Sequence, residues 1–201
     1  MTRIYLIRHG ETEWNKEGRL QGTSNVLLSP EGIRQAKLLA QHTPFHSVDA
    51  IYSSDLSRAV KTAEILAEKF SLPVVEERGF RETDFGEWEG RLLGELSGVE
   101  GFENFFTRPD KVHPPNGETF LESQARVMTA LEEIVADSDG QSIIVVSHGS
   151  VIRLILCAAL GVSIRKMWAI AQFNTSVNIL RVDDGNAVVE LINSTAHLYR
   201  F

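Results

Sequence analysis

Two short apolar runs, far apart in the chain, end in the same way. Ile4-Tyr5-Leu6-Ile7 stops at Arg8-His9-Gly10, and Ser142-Ile143-Ile144-Val145-Val146 stops at Ser147-His148-Gly149. Both runs have strand length and are rich in β-formers. At the first, glycine lets the backbone turn sharply and leaves the approach to the imidazole clear of a side chain. One such histidine alone reads as a strand leaving the core through a polar turn. Two of them constrain the chain to a sheet whose strand ends converge.

A third run, Val48 to Tyr52, ends in Ser53-Ser54-Asp55 and feeds a helix with Arg58 on its first turn. Three strands thus deliver a His or Arg at or just past their carboxyl ends, where α/β sheets bind ligands. Two imidazoles and two guanidiniums in one crevice describe an anion site that holds a nucleophile.

The elements between follow the same plan. Ser29 caps a helix with Pro30 at its first position and Ile33, Ala36 and Leu39 on its buried face. Leu56, Ala59, Val60, Ala63, Leu66, Ala67 and Phe70 mark the next helix, with Ser54 or Asp55 expected as its cap. Lys16 to Ser24, with Arg19, Gln21 and Gly22, reads as a loop, and Leu72-Pro73-Val74-Val75 as a short strand. Residues 80–117 lack a long periodic pattern and are rich in Glu, Gly and aromatics, so they read as an excursion capping the site. Trp88 within it belongs either to a satellite core or to the substrate side. A long helix over Thr119 to Ala136 follows, then the second histidine strand with its helix to about Leu160. A hairpin pairs Ser176–Arg181 with Ala187–Ile192 around Asp183-Asp184-Gly185-Asn186. No linker divides the chain, so 1–201 reads as one α/β domain.

The net charge of −7 argues against nucleic-acid binding, which needs a basic surface, but not against a small anion met by a local arginine cluster. Cys157, the single cysteine, lies in the apolar helical stretch Val151 to Leu160 and reads as a core residue. Met1 runs directly into the first strand, and no apolar run approaches the roughly 20 residues that span a bilayer. The expectation is therefore a cytoplasmic protein with a small-molecule partner, no nucleic acid and no membrane. The composition allows a homodimer but specifies no oligomeric state.

A phosphate monoester suits this crevice. Arg8 and Arg58 present planar donor forks to its oxygens. His9 offers a lone pair to phosphorus if its other ring nitrogen is held as a donor, and the adjacent arginines disfavour its protonation. His148 serves as a second cation or donor to the equatorial oxygens. The leaving alkoxide needs a proton from a carboxylic acid. Glu82, in Arg81-Glu82-Thr83-Asp84-Phe85-Gly86, leads on position, with Glu11, Glu13 and Asp84 as competitors. His42 and His46 read as surface residues, His197 as a tail residue, and His113 borders the excursion. Metal-ligand spacings, a phosphate-binding P-loop and a serine elbow are all missing from the sequence.

These residues resemble the histidine phosphatase superfamily, the phosphoglycerate mutase-like proteins. Leu6 to Asn15 is similar to its signature almost letter for letter. Ser53 to Ala59, Ser147-His148-Gly149, and Glu82 followed by Phe85-Gly86-Glu87-Trp88-Glu89-Gly90 match its other core segments. The resemblance implies a three-layer α/β/α sandwich with a mostly parallel central sheet and a short cap insertion. It also implies a phosphohistidine on His9, a phosphate pocket from Arg8, Arg58 and His148, and Glu82 as proton donor. Asn15, Gln21 and Gly22 align with pocket-lining loop positions, and neither metal nor cofactor is expected. Thr83-Asp84-Phe85-Gly86 after the acid, with a short excursion, is similar to the phosphatase branch. The alternatives are a cofactor-dependent phosphoglycerate mutase, and within the phosphatases an α-ribazole phosphatase, a phosphoserine phosphatase or a sugar-phosphate phosphatase.

Overall fold

The first strand, β1 (Thr2–Arg8), is covered on both faces, and its alternation sorts the whole core. In the computed structural model, which describes residues 1–43, 45 and 47–199, Ile4 and Leu6 face one way and Tyr5 and Ile7 the other. β4 (Ser142–Ser147) runs parallel beside it in the register Ile4↔Ile143 to Arg8↔Ser147, so Ile143 and Val145 join the first face, Ile144 and Val146 the second. Apolar residues on both faces, rather than on alternate positions, are what a parallel strand between two helical layers requires.

The sheet order is β3-β2-β4-β1-β5-β6. β2 (Ala50–Ser53) and β3 (Val74–Glu76) extend the parallel part, while β5 (Val177–Asp183) and β6 (Asn186–Ser194) form an antiparallel hairpin on the far side. Asp184 and Gly185 close that hairpin at φ +47° and +77°, the pair of left-handed residues that a two-residue turn matched to strand twist demands. On one face pack α2 (Pro30–His42) and α3 (Ser57–Phe70), through Leu39, Ala59, Ala63 and Leu66. On the other pack α5 (Phe120–Asp137) and α6 (Gly149–Ala159), through Val127, Leu131, Ile152 and Ile155. The expected three-layer arrangement with a mostly parallel sheet is the one found.

Three local expectations are corrected. Thr12 caps a short helix, α1 (Glu13–Glu17), in reciprocal hydrogen bonds with Asn15, so the loop begins at Gly18 (φ +73°) rather than Lys16. The N-cap position of α3 is Leu56, with no side-chain cap. Ser54 and Asp55 are drawn elsewhere, Ser54 toward His148 and Asp55 into a two-pronged ion pair with Arg81 at 2.6 and 2.7 Å. His197 is buried in a short turn and lies 3.0 Å from the Thr175 hydroxyl, so it is part of the interior. His46 lies outside the described residues.

The excursion after Phe80, carried by short turns and α4 (Leu93–Leu96), supplies much of a third apolar cluster. Trp88, 1% exposed, is packed against Phe102 and Phe105, which settles it as core. Cys157 and Met167 belong to the same cluster, which therefore draws on α6 and the segment after it as well as on residues 80–117. Among the described residues, no helix is long and apolar enough to cross a membrane.

Candidate active site

Because β2, β4 and β1 are adjacent and parallel, their carboxyl ends open side by side, and the chain just past each end meets in one place. His9 sits there almost wholly buried, its ring centroid 5.1 Å from that of His148. Its Nδ1 lies 2.7 Å from the carbonyl oxygen of Gly10, which accepts from it and leaves Nε2 as the nitrogen with a lone pair. Its backbone is tied to β4 by an N–H donated to Ser147, and its carbonyl accepts from the Asn174 amide at 3.1 Å. Burial is the main reason His9 is held well below its ordinary pKa, with Arg58 and then Arg8 adding to the effect. Desolvation thus outweighs the adjacent arginines, which are the only cause the sequence pattern makes visible.

Arg8 donates through one terminal nitrogen to Gln172 O at 2.6 Å, and Arg58 through both to Ser24 O and Gly22 O at 2.7 Å. Each keeps a buried Nε–H with no partner among the described residues. Burial lowers both guanidiniums to about 10, which still leaves them cationic at neutral pH. His148 completes the set. Its Nε2 meets the Ser54 hydroxyl at 2.8 Å, and its buried Nδ1 has no partner among the described residues. It too is held well below its ordinary pKa by burial first, then by Arg58, His9, Arg8 and Arg126. It is a neutral group here, not a second cation. Unpartnered buried donors are costly unless a ligand takes them up, and here they belong to residues that line the cleft with His9 or lie beside its ring.

Glu82 lines the same pocket, a cleft of about 230 Å³ that also takes in Arg8, His9 and Arg58. Its carboxylate accepts the Thr83 N–H at 3.0 Å and, at 3.3 Å, the Ser150 N–H in the first turn of α6. Of the competing carboxylates, Glu11 accepts from Ser29, Asp84 from the Gly86 amide, and Glu13 pairs with Lys16; none lines the pocket. His113 is exposed and apart from it.

Asn15, Gln21 and Gly22 all line the cleft. Gln21 carries a buried Oε1 with no partner among the described residues. Gly22 contributes backbone. Its φ is +55°, its carbonyl holds Arg58, and a Cβ there would sit 1.9 Å from the Glu89 carboxylate.

The outer wall was not foreseen. Arg153 donates to the carbonyls of Ile170 and Gly149 and lies over the Trp168 ring, 5.1 Å from its centroid. Trp168 in turn donates to Phe105 O at 2.6 Å, and Phe106, half exposed, completes the rim. One signal for Arg153 was present, a lone cation inside Val151-Ile152-Arg153-Leu154-Ile155-Leu156. Among the described residues, no group of three or more His, Cys, Asp or Glu side chains is placed to hold a metal ion.

A parallel sheet that gathers two neutral imidazoles and two buried guanidiniums at its strand ends is the architecture of a phosphoryl-transfer protein. The chain belongs to the histidine phosphatase superfamily (branch 1), whose family model matches residues 4–195. Phosphoserine phosphatase 1 from Hydrogenobacter thermophilus is 37% identical over 203 residues, covering 100% of this chain and 96% of that protein. Among solved structures, Bacillus stearothermophilus YhfR superposes with a TM-score of 0.94 at 32% identity, over 98% of this chain and 100% of that one. A phosphoserine phosphatase mutant from Entamoeba histolytica, in complex with phosphoserine, gives 0.91 at 32% identity and the same coverage.

Proposed function

We propose that the chain is a phosphoric monoester hydrolase that acts on small phosphate esters through a phosphohistidine on His9. The observation that carries this is one cleft lined by His9, Arg8, Arg58 and Glu82, with the His148 ring 5.1 Å from that of His9 and with Arg8 Nε, Arg58 Nε and His148 Nδ1 buried without a partner among the described residues. A phosphoryl group is the ligand that satisfies all of them at once.

In the first half-reaction, His9 Nε2 attacks phosphorus and the bond from phosphorus to the ester oxygen breaks. Glu82 gives its proton to that oxygen as it leaves. The Gly10 carbonyl, accepting from Nδ1, stabilises the imidazole as positive charge builds on it. Arg8 and Arg58 balance the phosphate dianion, and the His148 Nδ1–H adds a neutral donor to its equatorial oxygens. In the second half-reaction, water attacks phosphorus, Glu82 takes the proton from that water, and the bond between nitrogen and phosphorus breaks to release inorganic phosphate. The whole chain, 1–201, works as one unit in this reading, with residues 80–117 as a short cap over the site.

The phosphoserine phosphatase relatives support hydrolysis over phosphoglycerate mutation. The test is hydrolysis of p-nitrophenyl phosphate and a panel of phosphorylated metabolites, with and without chelator, alongside His9→Ala. Acid-labile, base-stable phosphate trapped on His9 is the expected result. Activity abolished by chelator, or full activity in His9→Ala, overturns the proposal. Exchange of phosphoglycerate isomers that requires a bisphosphate primer replaces hydrolysis with mutase action.

A further inference from the structure

The acid sits on irregular backbone, and such backbone has carbonyls that must find donors if the turn is to hold one shape. Residues 79–84 meet this requirement with help from outside the turn. Arg126, on α5, donates through Nη1 to Gly79 O at 2.7 Å and Arg81 O at 3.1 Å, and through Nη2, at a longer 3.5 Å, to Glu82 O. Ser147 on β4 donates to Phe80 O at 2.9 Å. The Thr83 hydroxyl meets that of Ser123 at 2.9 Å, both fully buried, and Ser123 also accepts from Arg126 at 3.1 Å.

Arg126 is itself held by Glu118 in a two-pronged pair, Nε to Oε1 at 2.9 Å and Nη2 to Oε2 at 2.7 Å. Glu118 grips the other end of the turn, donating its N–H to Asp84 O at 2.8 Å and accepting from the Asp84 amide at 3.4 Å. One ion pair therefore fastens both flanks of Glu82. Arg126 takes the carbonyl of Glu82, while the carboxylate is held by the Thr83 and Ser150 amides. Its charge is answered by Glu118, so its action on the acid is geometric.

We infer that Arg126, locked to Glu118, is a positioning residue for proton donation, setting the aim of Glu82 at the leaving oxygen. This deepens the proposed phosphatase reading and rests on it. A misplacement of the order of 1 Å in such a group costs about 10²-fold in rate.

Leaving-group dependence separates aim from general stability. Nitrophenolate departs without a proton, whereas an alkoxide does not. kcat/KM covers only the steps through alcohol release, so hydrolysis of the phosphoenzyme does not enter. The protein is assayed with p-nitrophenyl phosphate and with the alkyl phosphate it turns over fastest, as wild type, Arg126→Lys, Glu118→Gln and Glu82→Gln. Arg126→Lys keeps the charge and loses the fork, and thermal unfolding confirms that each variant is folded.

For Arg126→Lys, kcat/KM on the alkyl ester should fall by about 10²-fold, against under about 3-fold on the aryl ester. Glu118→Gln should shift the same way by less. In the Glu82→Gln background, Arg126→Lys should add no further loss on the alkyl ester, because the group it aims is gone. Equal losses on the two esters, or additive losses in that background, overturn the positioning role while leaving the phosphatase reading intact. Equal losses in Glu82→Gln itself overturn the acid assignment, and the role of the clamp with it.

Discussion

The Ser54 hydroxyl lies 2.8 Å from Nε2 of His148 and also accepts the Leu56 amide at 3.3 Å. A neutral His148 has one ring proton to place. On Nδ1, it leaves Nε2 free to accept from Ser54 and gives the buried, unpartnered Nδ1 an N–H to offer an anion. On Nε2, it would turn a bare lone pair toward the phosphate. The Ser54 hydroxyl already accepts from the Leu56 amide and makes no other hydrogen bond among the described residues, so donation of its proton to Nε2 favours the tautomer with Nδ1 protonated.

Ser54→Ala should lose kcat, by less than the roughly 10²–10³-fold that deleting an oxyanion donor costs. It should also lose about 1–3 kcal/mol of stability, because Nε2 is left buried without a partner. Nitrogen-15 NMR of the imidazole reads the tautomer directly. A His148 whose Nδ1 is already unprotonated in the wild type defeats the assignment.

Stability should fall on mild acidification. His9 and His148 are both held well below their ordinary pKa, by burial and then by the surrounding arginines, and His197 is brought down to about 4, chiefly by burial. In the unfolded chain, histidines titrate near 6.5. Below about pH 6.5 the unfolded chain therefore takes up protons that the folded chain refuses, and the equilibrium shifts toward unfolding. His9 and His148 each contribute a slope of up to about 1.4 kcal/mol per pH unit. Asp55, held below its ordinary value by Arg81, acts only at lower pH. Denaturant unfolding at pH 7.5 and 5.5 measures the slope, which should be shallower in His9→Asn. Equal stability at both pH values would show that the imidazoles are not neutral in the fold.

The parts of this site readable in advance were those set by local pattern. A strand-length apolar run ending in His-Gly is visible in a one-dimensional string, and pairing β1 with β4 needs only that both be buried parallel strands. Arg58 was legible for the same reason, since helical spacing places it on the first turn of α3. What stayed hidden was held by long-range contact. Arg153 joins the wall because Ile170 and Trp168, 17 and 15 residues later, fold back over it. Asp55 leaves the expected capping role because Arg81, 26 residues on, offers a two-pronged ion pair that a helix amide cannot match. Trp88 had no periodic pattern to speak for it, and only the packing of Phe102 and Phe105 assigns it to the interior.

A side chain at Gly22 should be costly. A Cβ there would overlap the Glu89 carboxylate at 1.9 Å, and its φ of +55° suits glycine. That carboxylate accepts from the amides of Thr23, Ser24 and Phe85, so pushing it aside loosens the loop whose carbonyls support Arg58. Gly22→Ala should lower stability by about 1–3 kcal/mol and weaken inhibition by inorganic phosphate. Part of that cost should vanish in a Glu89→Ala background, where the clash is relieved and the backbone strain remains. Thermal unfolding of the four proteins in this cycle measures the coupling, and strictly additive losses would mean that the clash is not the cause.

Inorganic phosphate should stabilise the protein well beyond its effect as a salt. Arg8, Arg58 and Arg153 share the cleft with one carboxylate, Glu82, so the cleft carries positive charges that repel one another. Arg8 shows this repulsion, since Arg153 and Arg58 add to burial in lowering its pKa. A tetrahedral anion relieves the repulsion and also takes up the unpartnered donors. At 100 times its Kd, a ligand that binds only the folded state adds about 2.7 kcal/mol. At about 2–4 °C per kcal/mol, this raises Tm by roughly 5–10 °C for a chain of this size. Chloride at matched ionic strength should give little of this shift, and Arg58→Ala should lose most of it. An equal shift in chloride, or an undiminished one in Arg58→Ala, would place the phosphate somewhere other than beside His9.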